Sequence, residues 1–243
     1  MVARSSLTAA AAPPAGRTAR STEQIYERIR TMAMTFAIRP GERVNEVELS
    51  RALNVSRTPL REALNRLMVE GFLTRAPNKG FIGRPLDAKQ VFDLYEFRGV
   101  LESSTARIAC ERATDDELDE LEAFVKRTEK MEESDAARLL ALDEEFHERV
   151  ATLTRNFEML HSLKAVNARI HYFRWIDMQN GRRRYTQQEH LKIVRALKAR
   201  DADKAASLIH GHIAHRLDQI VEVIRAGFAE IYMRDQTATE AAR

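Results

Sequence analysis

Between Gly83 and the final residue, Arg243, the only glycines are Gly99, Gly181, Gly211 and Gly227, and apolar and polar residues nowhere alternate. A half-buried strand needs that alternation, whereas a helix buries apolar residues spaced three and four apart. This long back part can therefore hide its apolar groups only along helical stripes, which predicts an antiparallel bundle of six or so helices. Caps are expected at Asp87, Thr114 (with Glu117 three on), Ser134, Thr186 and Asp201, and a further helix over about 157–178.

The front is patterned differently. Ser21 with Gln24 opens a helix through Ile25, Ile29 and Met32, which stops before the Pro40-Gly41 turn signal. Asn45, with Glu48 in the capping-box position, opens a short second helix that buries Val47, Leu49 and Leu53. Ser56 opens a third, ended by Gly71 where a left-handed C-cap is cheap. Residues 72–75 and 81–84 then read as two strands around Pro77-Asn78-Lys79-Gly80. Three helices and a hairpin make a winged helix-turn-helix. The expected layout is mostly α: a disordered arm over 1–20, the winged helix-turn-helix over 21–84, a linker over 85–87, the helical bundle over 88–235 and a tail over 236–243.

Composition agrees with this globular reading: 44% of residues are apolar and 31% charged, which fits neither an intrinsically disordered nor a fibrous chain. No apolar run approaches the roughly 18 residues of a membrane span, and the Ala-rich start lacks the hydrophobic core of a secretory signal. Cys110 is the only cysteine, so no intrachain disulfide can form and a cytoplasmic location is expected. Charge is unevenly divided. Residues 1–86 hold 14 Lys and Arg against 7 Asp and Glu, a net +7, whereas residues 87–243 hold 25 against 29, a net −4. A basic front suits a polyanionic partner.

On a helical wheel of the third helix with Arg57 at zero, Leu60, Ala63, Leu64 and Leu67 fall between about 240° and 340°, a core-facing stripe. Arg61, Asn65 and Thr58 fall at about 40°, 80° and 100°, a polar edge beside it. The start of the second helix of a helix-turn-helix reaches base edges in the major groove, where the arginine fork fits guanine. Ser56 and Thr58 can hold phosphate at the helix N-terminus, and Lys79 and Gly80 lie at the hairpin tip.

All seven histidines fall after residue 146. With Asp143 at zero, Leu139, Leu140, Phe146 and Val150 lie within about 60° and His147 at about 40°, so the carboxylate and imidazole both sit in the apolar stripe. His190 shares its face with Ile193, Val194 and Leu197, and His212 with Ala205, Leu208 and Ile209. One Asp and three His pointing inward from three helices can converge on a divalent transition metal, with Zn²⁺ leading and Ni²⁺ or Mn²⁺ as alternatives. His215, one turn beyond His212, is the runner-up ligand, and His210 faces outward. Arg98 and Arg169 lie on apolar helix faces and suit bidentate capture of a carboxylate, although Glu102 stands one turn from Arg98 and can pair with it.

The front also resembles a known family. The segments Pro40-Gly41-Glu42-Arg43-Val44-Asn45-Glu46, Leu53-Asn54-Val55-Ser56-Arg57-Thr58-Pro59-Leu60-Arg61-Glu62-Ala63-Leu64, Glu70-Gly71 and Asn78-Lys79-Gly80, with Leu49 and Leu67, are similar to the GntR superfamily of bacterial transcription regulators. The resemblance implies DNA contacts at Arg57, Thr58 and Arg61 and a wing tip at Lys79-Gly80. Met34-Thr35-Phe36 departs from it, since an aliphatic residue and a glycine are usual there. Arg98, Leu101-Glu102, Asp143, Phe146-His147, Asn156, Glu189-His190, Ala196, Asp201 and His212 resemble the all-helical FCD effector domain of the FadR-like branch. Together the two resemblances run from residue 21 to about 225. They imply metal ligands at Asp143, His147, His190 and His212, a small organic acid that often completes the coordination, and a homodimer.

The expectation is a DNA-binding regulator, a repressor on a palindromic double-stranded operator, controlled by a small carboxylic acid at a metal site and having no membrane contact. A regulator with a metal-free effector site is the alternative. A metallohydrolase with a DNA-binding appendage is disfavoured, because no H-E-x-x-H run, phosphate-binding glycine loop or G-x-S-x-G is present, and Glu144 and Glu145 point away from the face of Asp143.

Overall fold

The computed structural model describes residues 22–77, 80–85, 87–131, 135–179 and 183–217, with only the backbone of 176, 177, 179, 183, 184 and 215–217. The arm over 1–20, the Ser21 and Ser134 caps, the wing-tip residues Asn78 and Lys79, and the tail over 236–243 lie outside the described residues. So do Leu86 of the linker and the bundle beyond 217.

Three helices open the chain: α1 (Thr22–Met34), α2 (Glu46–Leu53) and α3 (Arg57–Val69). Asn45 caps α2, its Oδ1 accepting from the backbone N–H groups of Val47 and Glu48. Gly71 follows α3 with φ +85°, the left-handed turn that glycine takes without strain. Strands β1 (Leu73–Ala76) and β2 (Gly80–Gly83) pair antiparallel, Leu73 opposite Gly83, each strand lying one residue nearer the hairpin tip than expected. The segment before α2 lies along β2: Val44 N–H donates to Phe81 O at 2.9 Å, and Gly83 N–H to Glu42 O at 2.9 Å. A Cβ on Gly83 would stand 2.0 Å from the Arg39 carbonyl oxygen, so only glycine fits there. Ile25, Ile29, Leu49, Leu53, Leu60, Leu64, Leu67, Leu73 and Phe81 form one core. Each such residue contributes roughly 1.5–3 kcal/mol by leaving water. Val47, expected inside, is instead 38% exposed.

The remaining helices are α4 (Ala88–Arg112), α5 (Asp115–Glu129), α6 (Ala136–Leu153), α7 (Phe157–Gln179), α8 (Arg183–Lys198) and α9 (Ala202–Leu217). Asp87 caps α4, and Thr114 with Glu117 forms a full capping box on α5. Asp201 accepts from Lys204 N–H at the start of α9. Asp135 caps α6. Thr186 is not at the helix start: α8 begins at Arg183, and Thr186 lies buried one turn inside it. α6 and α7 run antiparallel, Glu148 meeting Lys164 and Glu144 standing 3.6 Å from His171. α4 packs against α6, α7 and α9, and α8 lies between α5 and α9. No described helix is long and apolar enough to cross a membrane.

Candidate metal centre and nucleic-acid interface

α3 divides as its wheel requires. Leu60, Ala63, Leu64 and Leu67 are buried, while Ser56, Arg57, Thr58, Arg61 and Asn65 are all exposed on one edge. Ser56 stands at the N-cap position, yet its side chain accepts no capping hydrogen bond and leaves the first N–H groups of α3 open. Those groups and the helix dipole favour an anion there. Arg61 is held only loosely, with Nε 3.5 Å from Glu46 Oε2. Arg66, one turn on, is instead anchored in the fold over the Tyr26 ring and to Glu23 and Glu70. Exposed Gly80, with φ +70°, is the described part of the wing tip.

The bundle does the opposite with its polar groups. Asp143, His147, His190 and His212 are each 4% exposed or less. α6 contributes the first two, α8 the third and α9 the fourth, and one ligand atom from each falls within 4.8 Å of all the others. His190 Nε2 lies 3.5 Å from Asp143 Oδ1, and His147 Nε2 lies 3.9 Å from Asp143 Oδ2. Phe146 stacks on His190 at 3.8 Å between centroids and fixes that ring.

Outer groups orient the imidazoles. Glu102 on α4 bonds His147 Nδ1 and also accepts from Arg98 Nε at 2.5 Å. Glu189 bonds His212 Nδ1 at 2.8 Å. A carboxylate on Nδ1–H leaves the lone pair on Nε2, the arrangement that ligating histidines adopt. Among the described residues, no hydrogen bond reaches His147 Nε2. Burial pushes the His147 pKa down to about 4, with the Arg98 charge adding to the shift, so this imidazole is neutral near pH 7. Burial alone would raise Glu102, but Arg98 and His147 outweigh it and hold the carboxyl at about 2. Three imidazole nitrogens and one carboxylate oxygen suit a borderline divalent ion.

Arg174 is the residue that spacing missed. Its Nη2 donates to Asp143 Oδ2 at 2.6 Å and its Nη1 to Glu144 Oε1 at 2.9 Å, and it is fully buried. Glu144 thus shares a guanidinium with Asp143 rather than turning away, and it also pairs with His171 at 3.6 Å. Arg98 lies inside the bundle, paired with Glu102 as its spacing allowed. Arg169, expected to answer an acid at this cluster, stands elsewhere: it lines a cleft beside Gly71 and Arg84, on the side of α7 facing the winged domain. His210 is exposed as expected, and the side chain of His215 lies outside the described residues.

A winged helix-turn-helix with an exposed polar helix edge, joined to an all-helical domain, defines a DNA-binding regulator. Known proteins agree. Residues 21–82 match the model of bacterial regulatory proteins of the gntR family, and residues 93–215 match the FCD domain. The Nta operon transcriptional regulator of Aminobacter aminovorans is 48% identical over 212 residues, covering 87% of this chain and all of that protein. The HTH-type transcriptional repressor RspR of Escherichia coli is 28% identical, over 84% of this chain and 88% of its own. A GntR regulator from Rhodococcus has the same fold, with TM-score 0.66 and 22% identity over 83% of this chain and 97% of its own. The chain belongs to the GntR family, in the branch with a C-terminal FCD domain, and is a helix-turn-helix transcriptional regulator. These relatives are regulators, not enzymes.

Proposed function

We propose that the protein is a metal-dependent repressor, released from or retained on its operator by a small carboxylic acid bound within the FCD bundle. The observation that carries this reading is the convergence of Asp143, His147, His190 and His212, with Glu102 and Glu189 orienting two of the imidazoles. A divalent ion held by these four, Zn²⁺ before Ni²⁺ or Mn²⁺, supplies positive charge and open positions for an acid. Arg98 adds a second contact. Its Nη2 is buried and donates to no described acceptor, a costly state that an incoming carboxylate relieves.

In this reading 21–84 is the DNA-binding head, 85–87 the linker, and 88–235 the effector and dimerisation domain. Arg57 and Arg61 read bases, Ser56, Thr58 and Asn65 meet backbone or neighbouring base edges, and the wing of Lys79 and Gly80 touches the adjoining backbone. Phe97 and Val100, exposed and three apart on α4, offer an apolar patch to a second subunit, and a two-fold dimer requires a palindromic operator. Repression is the sign that RspR carries in its name. A metal-free effector site is the second reading, favoured by Arg174, which already offsets the Asp143 charge.

The test is operator binding by fluorescence anisotropy while small carboxylic acids are titrated, with and without a chelator. The proposal predicts that one acid shifts operator affinity in metal-loaded protein and that chelation abolishes the shift. An identical response in chelated protein selects the metal-free reading. An operator affinity indifferent to every acid overturns both.

A further inference from the structure

A second polar feature lies between the two domains, away from the metal cluster. A half-open cleft with about 50 Å³ of free interior is walled by Phe36 and Phe72 from the winged domain and by Tyr172 and Phe173 from α7. Arg84, leaving the wing, and Arg169 of α7 stand side by side in it, both against Gly71. Arg84 Nη1 donates to the Gly71 carbonyl at 3.1 Å, and Arg169 Nε is buried without a hydrogen-bond partner. Neither arginine pairs with a carboxylate among the described residues. The Asp87 carboxyl at the rim is engaged by Lys89 N–H. Burial and the neighbouring Arg84 charge both push the Arg169 pKa down, as expected of two like charges held together without an anion.

The wall is built at a cost. Phe36 has φ +54°, a left-handed backbone that glycine adopts freely and phenylalanine does not. Its ring lies 4.4 Å from Tyr172 and 6.1 Å from Phe173, so cross-domain ring packing maintains the strained turn. Strain of this kind concentrates at ligand clamps and switch segments. Two guanidiniums with no carboxylate partner among the described residues, beside an aromatic wall, match one ligand chemistry: a carboxylate or phosphate head on a compact apolar body.

We infer that the cleft walled by Phe36 and Tyr172 is a second effector site, taking an organic oxyanion whose head bridges Arg84 of the DNA-binding domain and Arg169 of the FCD domain. Because the head joins one arginine from each domain, occupancy fixes how the reading head sits on the bundle. The site needs no metal and stands whether or not the cluster binds one.

Calorimetric titration of the full chain in chelator, with phenyl phosphate, benzoate and inorganic phosphate as separate arms, tests this. Binding of phenyl phosphate or benzoate is expected, the tighter of the two naming the head, and inorganic phosphate at least about tenfold weaker for want of a body. Arg84→Gln and Arg169→Gln should each weaken binding about tenfold. Phe36→Gly, which relaxes the turn, should weaken the aromatic anions but not inorganic phosphate. No binding by any arm overturns the inference, as does binding kept at full strength in both Arg84→Gln and Arg169→Gln. A loss confined to DNA affinity in Arg169→Gln assigns the arginines to the nucleic-acid backbone and overturns it too.

Discussion

The two domains handle polar side chains in opposite ways. On α3 the polar groups of one edge are exposed and loosely held: Arg61 is 3.5 Å from Glu46, and the Ser56 side chain makes no capping hydrogen bond. In the bundle they are sealed in, and three of the four are oriented by another polar group: Arg174 on Asp143, Glu102 on His147, Glu189 on His212. An exposed pair is worth little to folding, whereas removing one partner of a buried pair strands a charge in a poor solvent. Mutation should therefore damage binding alone in the head, but folding and binding together in the bundle.

The largest effect is expected at Asp143. Asp143→Ala leaves Arg174 buried with only Glu144, and should cost about 3–5 kcal/mol of stability in urea denaturation of metal-free protein. A loss under about 1 kcal/mol would show that the interior is better solvated than the contrast requires. Next come the outer carboxylates. Glu189→Gln keeps shape but weakens orientation of His212, and should lower metal affinity about 10–100-fold in a competition titration. Unchanged affinity would remove His212 from the ligand set.

The head should respond differently. Arg61→Ala should cost about 1–3 kcal/mol of operator binding by gel shift, while its urea midpoint stays within about 0.5 kcal/mol of the parent's. Unaltered operator affinity would break the recognition-edge assignment. The smallest effect is on pH dependence in chelated protein. The buried neutral His147 has its pKa lowered from 6.5 to about 4, so the unfolded chain takes up the proton first and stability falls as pH drops through that window. Glu102, held at about 2 instead of 4.5, extends the fall to lower pH, since it stays charged in the fold while the unfolded chain protonates. Denaturation midpoints from pH 7 to 4 should decline, and a flat profile would contradict the burial of these groups.

Legibility followed the same divide. α3 packs on one side only, so its wheel assigned Leu60, Ala63, Leu64 and Leu67 to the core and Arg57, Thr58, Arg61 and Asn65 to the surface. Asp143, His147, His190 and His212 were legible for the same reason, each lying in a single apolar stripe. α7 defeated the method because α6, α4 and α1 pack around it and no one face is inside. Spacing therefore preferred Arg169 to Arg174, although only Arg174 reaches the cluster. Thr186 has the residue type of a cap, whereas Arg183–Tyr185, where α8 actually begins, carry no such local signal. The cross-domain packing of Phe36 on Tyr172 depends on the arrangement of two domains, which no local pattern encodes.

The central claim is that the sealed polar cluster is a metal centre, and elemental analysis of tag-free protein tests it most directly. The account predicts about one divalent transition-metal ion per chain, absent from His190→Ala. Less than about half an equivalent after loading with Zn²⁺, Ni²⁺ or Mn²⁺ would contradict it.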